Sequence, residues 1–445
     1  MFKKLINFGH SRLALLDEHT LEVVRKSSAS TVVKVAGMAI GLLVSVFLGR
    51  TIGAEGLGII NLSIQIATIV ISISLLGISN LIVREVSHLK VKKDFEKIKG
   101  IMHTSYIVNG IVSLFFSLLL ILLSPYLSEN IFNEPRLTWP LIIASLVIPN
   151  QVFSRLFSAS LIGYRKIWQS NLVDQTLSIL GTGVCLLVLY LTKVEINVTT
   201  VAISYGIGRI IVTISVGVYW KKLTSAHFKS KQAHFNINIF KQARPFFLIT
   251  VVGILATNID KVMLGWLSTS EQVGLYSVAS RIALLTIFFL QITNSAVSPK
   301  ISSLYNTGKT AELEKMIRKV TTGLGLIALF PLLIFIIFGS HILSIWGNEF
   351  KEAYTILVIL TIGQFVNITT GSVSSVMNMC GLEKIHSRIT LYFVIGNIVL
   401  NFFSIKYFGT IGLAATTSFA IIAINIVKVI IVKKRINILS LPLLY

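Results

Sequence analysis

Residues 46–67 read VFLGRTIGAEGLGIINLSIQIA, and residues 262–283 read VMLGWLSTSEQVGLYSVASRIA. The two stretches lie 216 residues apart and are identical at 7 of 22 positions. The identities include three residue pairs around one turn: Gly49 with Gly265, Glu55 with Glu271, and Gly58 with Gly274. A second match, at an offset of 218, sets Gly163–Ile167 against Gly381–Ile385. Apolar sequences often match by chance, but two collinear matches at nearly one offset favour an internal duplication.

Long apolar runs surround the matched stretches. The 445 residues are 54% hydrophobic and 13% charged, with a mean hydropathy of +0.81. Runs of about 20 apolar residues recur along the chain, and each can cross about 30 Å of hydrocarbon as a helix. We find twelve, at residues 29–49, 57–81, 101–123, 137–160, 170–191, 198–220, 244–266, 274–297, 319–342, 353–379, 388–407 and 410–432. The sequence therefore predicts an all-α polytopic membrane protein with about 12 transmembrane helices.

The duplication divides these helices into two pseudo-symmetric bundles of six. Because six is even, both bundles enter the membrane in the same direction, as parallel repeats related by an axis along the membrane normal. We expect an N-terminal bundle at 29–220, a basic cytoplasmic linker at 221–243 and a C-terminal bundle at 244–432. Residues 1–28 are expected to form a cytoplasmic or interfacial segment, and residues 433–445 a cytoplasmic tail. A substrate path should then run between the two bundles.

The distribution of positive charge predicts the orientation of the chain. Its net charge of +22 would suggest a nucleic-acid partner in a soluble protein. Loops on the side of the N-terminus hold 30 Lys and Arg residues, whereas the opposite loops hold five: Arg50, Arg136, Lys193, Lys351 and Lys406. The positive-inside rule then places both termini in the cytoplasm, and the charge needs no nucleic acid to explain it.

The tryptophans and cysteines fit the same interpretation. All five tryptophans fall at ends of apolar runs, where we expect their rings among lipid head groups: Trp139, Trp168, Trp220, Trp266 and Trp346. Cys185 and Cys380 lie inside predicted helices of opposite halves, so we expect two free thiols and no disulfide.

Motifs for ATP hydrolysis, dinucleotide binding and metal catalysis are missing from the sequence. No GxxxxGK[ST] and no strand-bound GxGxxG occurs, and the eight His and two Cys show no metal-ligand spacing. We therefore expect no cofactor and no metal, and a secondary transporter rather than an enzyme. An ion gradient, the membrane potential or the substrate's own gradient would then supply the energy.

Charged residues inside the predicted spans are the strongest site candidates, because each costs several kcal/mol in the bilayer unless it faces a cavity or a partner. Five are cations and two are anions: Arg209, Lys34, Lys261, Arg281 and Arg155, with Asp260 and Asp174. Arg209 lies about 11 residues into its run, near the bilayer centre, and is the strongest single candidate. The excess of cations predicts a basic cleft for an anionic head group such as a diphosphate, which Arg grips through two parallel hydrogen bonds.

These residues also have structural alternatives. Lys34, Arg155 and Asp174 lie near enough to an interface to anchor a helix at the lipid surface. Asp260 could pair with Arg281, or Asp260 or Asp174 could bind a driving proton or cation. Neutral polar residues could bind sugars or simply join helices: Asn258, Asn294, Gln291, Gln364, Asn367, Asn378, Gln65, Asn61 and Tyr205.

The turn Gly49-Arg50-x-x-Gly53-x-Glu55-x-x-Gly58, followed by an apolar helix ending in Val83-Arg84-Glu85, resembles bacterial Wzx-type oligosaccharide flippases. That family belongs to the multidrug and oligosaccharidyl-lipid/polysaccharide exporter superfamily. The resemblance implies that the chain moves undecaprenyl-diphosphate-linked repeat units of O antigen or capsule from the inner to the outer leaflet of the bacterial cytoplasmic membrane. It also implies alternating access, coupling to an ion gradient and a cationic lumen. It leaves open whether the flippase works beside a polysaccharide polymerase and a chain-length regulator.

Three other functions fit the hydropathy, and the glycine-rich turn itself predicts only a tight periplasmic connection. A multidrug exporter of cationic drugs would favour an acidic, aromatic cavity over five buried cations. A peptidoglycan lipid-precursor flippase would be expected to carry two additional helices. A non-transporting membrane scaffold would not explain why Arg209 is kept at mid-bilayer.

Overall fold

The structure is a computed structural model that describes the backbone of residues 18–225, 235 and 238–442. Within these ranges side chains are described from residue 29 onward, except at residues 174 and 175. The described chain is helical and contains no strand, as expected for an all-α membrane protein. Its α-helices are Glu18–Ser74, Ile78–Val91, Phe95–Tyr126, Thr138–Leu146, Ile148–Gly163, Ile167–Asn171, Ser178–Leu191, Val198–Thr224, Asn238–Leu267, Ser270–Leu285, Ile287–Asn306, Thr310–Leu343, Tyr354–Thr369, Val373–Met379 and Glu383–Ile436.

Glycines break the two longest helices, so each contains two spans. Gly53 has φ 70° and ψ −177°, and Gly409 has φ 60° and ψ −143°. By length and composition, 8 described helices can cross a membrane, or up to 9 when a helix pair bent by 42° counts as one span. Each of the two broken helices counts as two spans, and the shorter apolar helix Ser178–Leu191 adds one more. The described chain then has one span for each of the twelve predicted runs.

The twelve spans are numbered below in chain order. Spans 1 to 6 are residues 18–52, 54–91, 95–126, 138–163, 167–191 and 198–224. Spans 7 to 12 are residues 238–267, 270–306, 310–343, 354–379, 383–408 and 410–436. Spans 1 to 6 form the N-terminal half and spans 7 to 12 the C-terminal half. We call the end of the bundle with the two glycine kinks the Gly53 end, and the opposite end, with the loop after span 4, the Arg165 end.

The apolar cores show where the two halves are joined. One buried cluster at the Gly53 end combines Leu48, Ala54 and Leu57 of the N-terminal half with Leu264 and Phe350 of the C-terminal half. Toward the Arg165 end the halves have largely separate cores. Burial of apolar surface therefore holds the halves together mainly at the Gly53 end.

A backbone crossing between spans 2 and 8 confirms the duplication in three dimensions. A Cβ on Gly58 would lie 1.7 Å from the carbonyl oxygen of Ser270, and one on Gly274 would lie 1.9 Å from that of Ala54. Gly58 and Gly274 are equivalent at the offset of 216, and so are Ala54 and Ser270. The contact is therefore reciprocal, as at an interface on a two-fold axis. Only glycine permits helices to approach this closely.

The outer surface of the bundle is apolar, as a lipid-facing surface should be. Leu122, Phe330 and Phe408 are exposed over 70% or more of their surface. The tryptophans are divided, and the prediction that all five rings lie among head groups is wrong for two of them. Trp220 and Trp346 are each only 4% exposed and pack inside the protein.

The chain ends and the linker are described in part. Of the predicted N-terminal segment, residues 18–28 continue span 1 as a helix, and residues 1–17 lie outside the described residues. In the predicted linker, span 6 extends to Thr224 and span 7 begins at Asn238, while residues 226–234, 236 and 237 are outside the described part. Residues 443–445 of the predicted tail are likewise outside it.

Candidate substrate cavity

A cavity of about 550 Å³ lies between the two halves. Spans 1, 2, 5 and 6 form one wall, and spans 7 and 8 form the other. Most of the lining residues are apolar, and the rest carry polar side chains. These are Ser45, Asn61, Gln65, Ser178, Thr182, Tyr205, Lys261, Ser277 and Arg281. A concave, mostly apolar site with few polar groups is the usual form of a ligand pocket.

Two of the predicted cations, Lys261 and Arg281, lie in the cavity wall. Nη1 of Arg281 donates a hydrogen bond to the carbonyl oxygen of Gly41 at 3.4 Å, across the boundary between the halves. Among the described residues, no carboxylate forms an ion pair with either cation. The wall therefore carries two positive charges that the protein does not neutralise within ion-pair distance.

Arg209 is not part of the cavity wall but contacts a residue that is. Its guanidinium carbon is 5.2 Å from the ring centre of Tyr205, whose side chain lines the cavity. The buried Nε of Arg209 has no hydrogen-bond partner. Gln151 donates a hydrogen bond to the hydroxyl of Tyr205 at 3.3 Å. Arg209 thus places a positive charge next to a wall residue without lining the cavity.

The remaining predicted charges lie elsewhere. Lys34 is half-buried on span 1, one turn before Gly37, which is part of the cavity wall. Arg155 is exposed on span 4 and is not part of the wall. The side chain of Asp174 lies outside the described part of the chain.

Several polar atoms at the cavity are buried and lack a hydrogen-bond partner. They are Nδ2 of Asn61, Oε1 of Gln65, and the hydroxyls of Ser178 and Ser277. An unpaired buried polar group costs about 1–3 kcal/mol, so such atoms usually meet a water or a ligand. Asn61, Gln65 and Tyr205 were predicted sugar-binding candidates. The two serines were not, because a serine in a membrane helix has no distinguishing sequence signal.

Polar candidates of the C-terminal half bond mainly to the protein itself. Asn367 donates to Oε1 of Gln364 at 3.1 Å and accepts from Asn425 at 3.0 Å. Asn378 is bonded to His386 at 2.9 Å, and Asn258 donates to the carbonyl oxygen of Ile254. Gln291 is exposed, and Oδ1 of Asn294 is buried without a partner. Most of this second group therefore holds helices together, which was the alternative interpretation of such residues.

Asp260 does not pair with Arg281. The residue is 9% exposed, and its carboxylate accepts hydrogen bonds from Nδ2 of Asn401 at 2.9 Å and from the hydroxyl of Thr417 at 3.1 Å. Asn401 in turn accepts from Thr416 at 2.6 Å. An acid is thus held between spans 7, 11 and 12, one residue before the cavity cation Lys261. In the described chain, no group of three His, Cys, Asp or Glu residues could hold a metal ion.

Comparisons with known proteins fit this arrangement. The family model described as polysaccharide biosynthesis protein matches residues 23–305. The chain belongs to this family. A second family model, MatE, matches residues 245–403.

Relatives of this family member include two proteins of Haloferax volcanii. The probable flippase AglR is 24% identical over 400 residues, covering 89% of this chain and 80% of AglR. The probable low-salt glycan biosynthesis flippase Agl15 is 23% identical over 413 residues, covering 90% of this chain and 82% of Agl15. These relatives support a transporter rather than an enzyme.

The fold of this polysaccharide biosynthesis protein is shared with a solved transporter structure. Lipid II flippase MurJ, in an inward closed conformation, superimposes with a TM-score of 0.72 at 17% identity, covering 91% of this chain and 87% of MurJ. At such low identity the likeness shows the fold alone. It confirms the predicted all-α fold of a polytopic membrane protein.

Proposed function

We propose that the chain flips a lipid-linked oligosaccharide, with the anionic head group in the cavity between the halves and the lipid chain in the bilayer. Following the sequence resemblance, we propose undecaprenyl diphosphate as the carrier and a repeat unit of O antigen or capsule as the cargo. The observation that carries the proposal is the pair of unneutralised cations, Lys261 and Arg281, in a mostly apolar cavity. Following the same resemblance, we propose that transport runs from the inner to the outer leaflet of the cytoplasmic membrane.

The charge of the cavity favours an anion. At an effective dielectric constant of 20, two unit charges about 4 Å apart interact with about 4 kcal/mol. A diphosphate near Lys261 and Arg281 would gain attraction of this order from each, which offsets its loss of hydration. A cationic drug would meet repulsion of the same size. The cavity therefore supports a phosphate-bearing substrate over the multidrug-exporter alternative.

The unpaired polar atoms of the wall supply contacts for a sugar. Asn61 and Ser277 can donate hydrogen bonds, and Gln65 can accept one, from positions that are now buried and unpartnered. Sugar hydroxyls both donate and accept, so they would satisfy these groups. A substrate with a diphosphate and attached sugars uses the cations and the neutral polar atoms together.

A neighbouring groove suits the lipid chain. It has a volume of about 520 Å³ and an almost entirely apolar lining, which includes Met263 and Trp266 of span 7 and Phe402 of span 11. Span 7 also carries Lys261 into the cavity. One helix thus separates a charged space for a head group from an apolar space for its chain, which supports a lipid-linked rather than a free oligosaccharide.

Complementation of surface polysaccharide tests the proposal. The host would lack its own flippase and make the cognate repeat unit, with variants compared at matched membrane levels. Wild type should restore the polysaccharide, and Arg281→Ala and Lys261→Ala should lose most of it. Arg388→Ala, on the exposed side of span 11, serves as a matched loss of one cation. Failure of wild type to restore polysaccharide would refute the proposed function.

Ion coupling is proposed at Asp260, the buried carboxylate of the C-terminal half. A proton or a monovalent cation would neutralise it when bound, and both Asn401 and Thr417 already fix its oxygens. We expect Asp260→Asn to abolish the dependence of transport on pH or on sodium. Glu271→Gln, an exposed acid on span 8, is the control. An unchanged ion dependence in Asp260→Asn would remove Asp260 from the coupling mechanism.

A further inference from the structure

The turn between spans 1 and 2 is covered by a loop of the opposite half, residues 344–353. We propose that these two segments form a latch that closes the cavity at the Gly53 end and must part in each transport cycle. We define the latch as Ser45, Arg50 and Ala54 of the N-terminal half with Ile345, Trp346 and Glu349 of the C-terminal half. The inference rests on the proposed transport function, but one arm of its test does not need a substrate.

Three hydrogen bonds cross the latch. Nε of Arg50 donates to the carbonyl oxygen of Ile345 at 2.8 Å. The indole N–H of Trp346 donates to the hydroxyl of Ser45 at 3.0 Å. The backbone N–H of Ala54 donates to Oε1 of Glu349 at 2.7 Å. Each bond joins one half of the chain to the other.

The kink at Gly53 makes the third bond possible. With φ at 70°, Gly53 interrupts the helix, and span 2 begins at Ala54, whose backbone N–H donates to Glu349. The first N–H groups of a helix lack partners and carry partial positive charge, so a carboxylate there is stabilising. Glu349 therefore caps a helix of the opposite half. A Cβ on Gly53 would lie 3.2 Å from Oε1 of Glu349, so the carboxylate sits directly against the kink.

The latch lies at the limit of the cavity. The lining residues of spans 1 and 2 that lie nearest the turn are Leu48 and Leu57. Immediately beyond them, the side chain and the carbonyl oxygen of Trp346 lie within about 3 Å of where a Cβ of Gly49 would be. Ser45, which accepts from Trp346, is itself part of the cavity wall. An opening at the Gly53 end thus requires that Trp346 move.

The chemistry of the contact suits repeated opening. Arg50 and Glu349 are both exposed at the surface of the bundle, so water can replace their partners when they separate. A hydrogen bond exchanged for water changes stability only modestly, whereas leaving a buried group unpaired costs more. Most of the latch can therefore break without stranding a buried charge. A permanent structural joint would not need partners that water can replace.

Thiol labelling tests whether the latch closes the cavity. Cys185 and Cys380 would be replaced by Ser, and Ser277→Cys in the cavity wall would report access by a membrane-impermeant thiol reagent. Lys351→Cys first identifies the membrane side on which the loop is exposed, and the reagent is then added to that side.

We expect Glu349→Ala and Trp346→Ala each to speed labelling of the reporter about tenfold, which corresponds to about 1.4 kcal/mol. Glu352→Ala, a charge removed from an exposed position of the same loop, should leave the rate unchanged. If Glu349→Ala and Trp346→Ala label at the parent rate at matched membrane levels, the latch does not close the cavity.

A cross-link tests whether the latch must part. The Cβ of Trp346 lies 3.1 Å from an ideal Cβ on Gly49, close to the spacing of about 3.5–4.5 Å in disulfides. In the background without native cysteines, Gly49→Cys with Trp346→Cys should lose polysaccharide transport on oxidation and regain it on reduction. Full transport with the cross-link formed would overturn the inference. If the double-cysteine variant fails to transport even when reduced, the labelling experiment still tests the inference, because it measures closure of the cavity without requiring transport.

Discussion

The crossing of spans 2 and 8 predicts an unusually strong effect of a single methyl group. In Gly58→Ala the new Cβ would lie 1.7 Å from the carbonyl oxygen of Ser270, whereas real Cβ atoms do not approach closer than 3.0 Å. The two backbones must then separate by at least about 1.3 Å. Because backbone atoms cannot rotate away as a flexible side chain can, the strain falls on the packing of the halves at the Gly53 end.

Overpacking of this kind costs typically about 1–3 kcal/mol. If the strain destabilises the conformation closed at the Gly53 end but not the conformation open there, the equilibrium shifts toward the open conformation by a factor of about 5–150. We therefore expect Gly58→Ala to speed labelling of a Ser277→Cys reporter from the Gly53 end and to lower the melting temperature in detergent. Gly253→Ala and Gly323→Ala are matched controls, because no heavy atom lies within 4 Å of the added Cβ.

The reciprocal geometry adds a sharper expectation. Gly274→Ala should behave like Gly58→Ala, because its Cβ would lie 1.9 Å from the carbonyl oxygen of Ala54. A single separation of the helices relieves both clashes. The loss of stability in the double variant should therefore be much smaller than the sum of the losses in the two single variants. Stability and labelling of Gly58→Ala equal to those of Gly253→Ala would refute this account of the crossing.

Two further predictions concern residues away from the crossing. Arg209→Ala should lower surface polysaccharide and Arg209→Lys should restore part of it, because Lys keeps the charge but not the planar stacking on Tyr205; equal complementation by both variants would contradict this. Lys97, through its side chain and its backbone N–H, holds the pKa of the N-cap residue Asp94 below its usual value. The stabilisation is therefore complete above the unfolded pKa of about 3.9 and is lost as pH falls through the lower folded pKa. Asp94→Ala should cost about 1 kcal/mol at pH 7 and progressively less in acid, as followed by thermal melting in detergent.

The spans were predictable from sequence because hydrocarbon demands long apolar helices, and no tertiary contact can remove that demand. The duplication was predictable because the reciprocal contact at Gly58 and Gly274 tolerates only glycine on either side. The proposed latch function of the adjoining turn was not predictable, because a tight connection and a latch would both have glycine at these positions. Trp346 shows the same limit: a ring at the end of a run can face lipid or pack inward, and only its neighbours decide.

Only part of the cavity wall was predictable from the sequence. A charge in a membrane helix is costly wherever it lies, so Lys261 and Arg281 were visible without a structure. Their position in a shared wall depends on which faces of spans 7 and 8 meet the other half. The partners of Asp260 could not be predicted, since Asn401 and Thr417 lie 141 and 157 residues away in sequence. Amides and hydroxyls in membrane helices most often serve packing, so they give no separate signal.

The two duplicated halves contribute different kinds of polar side chain to the cavity. At the offset of 216, Lys261 is equivalent to Ser45, Arg281 to Gln65, and Ser277 to Asn61, and all of these residues line the cavity. The C-terminal half thus supplies the charges, where the N-terminal half has neutral polar side chains at the same positions. A symmetric pair of sites would hold a head group in two opposite orientations equally well. Because the charges lie on one side, the proposed substrate, with a diphosphate at one end and sugars at the other, would be held in one orientation, with its diphosphate toward spans 7 and 8. The same side borders the apolar groove, so the lipid chain that the diphosphate carries would leave the cavity beside span 7 rather than across the N-terminal half.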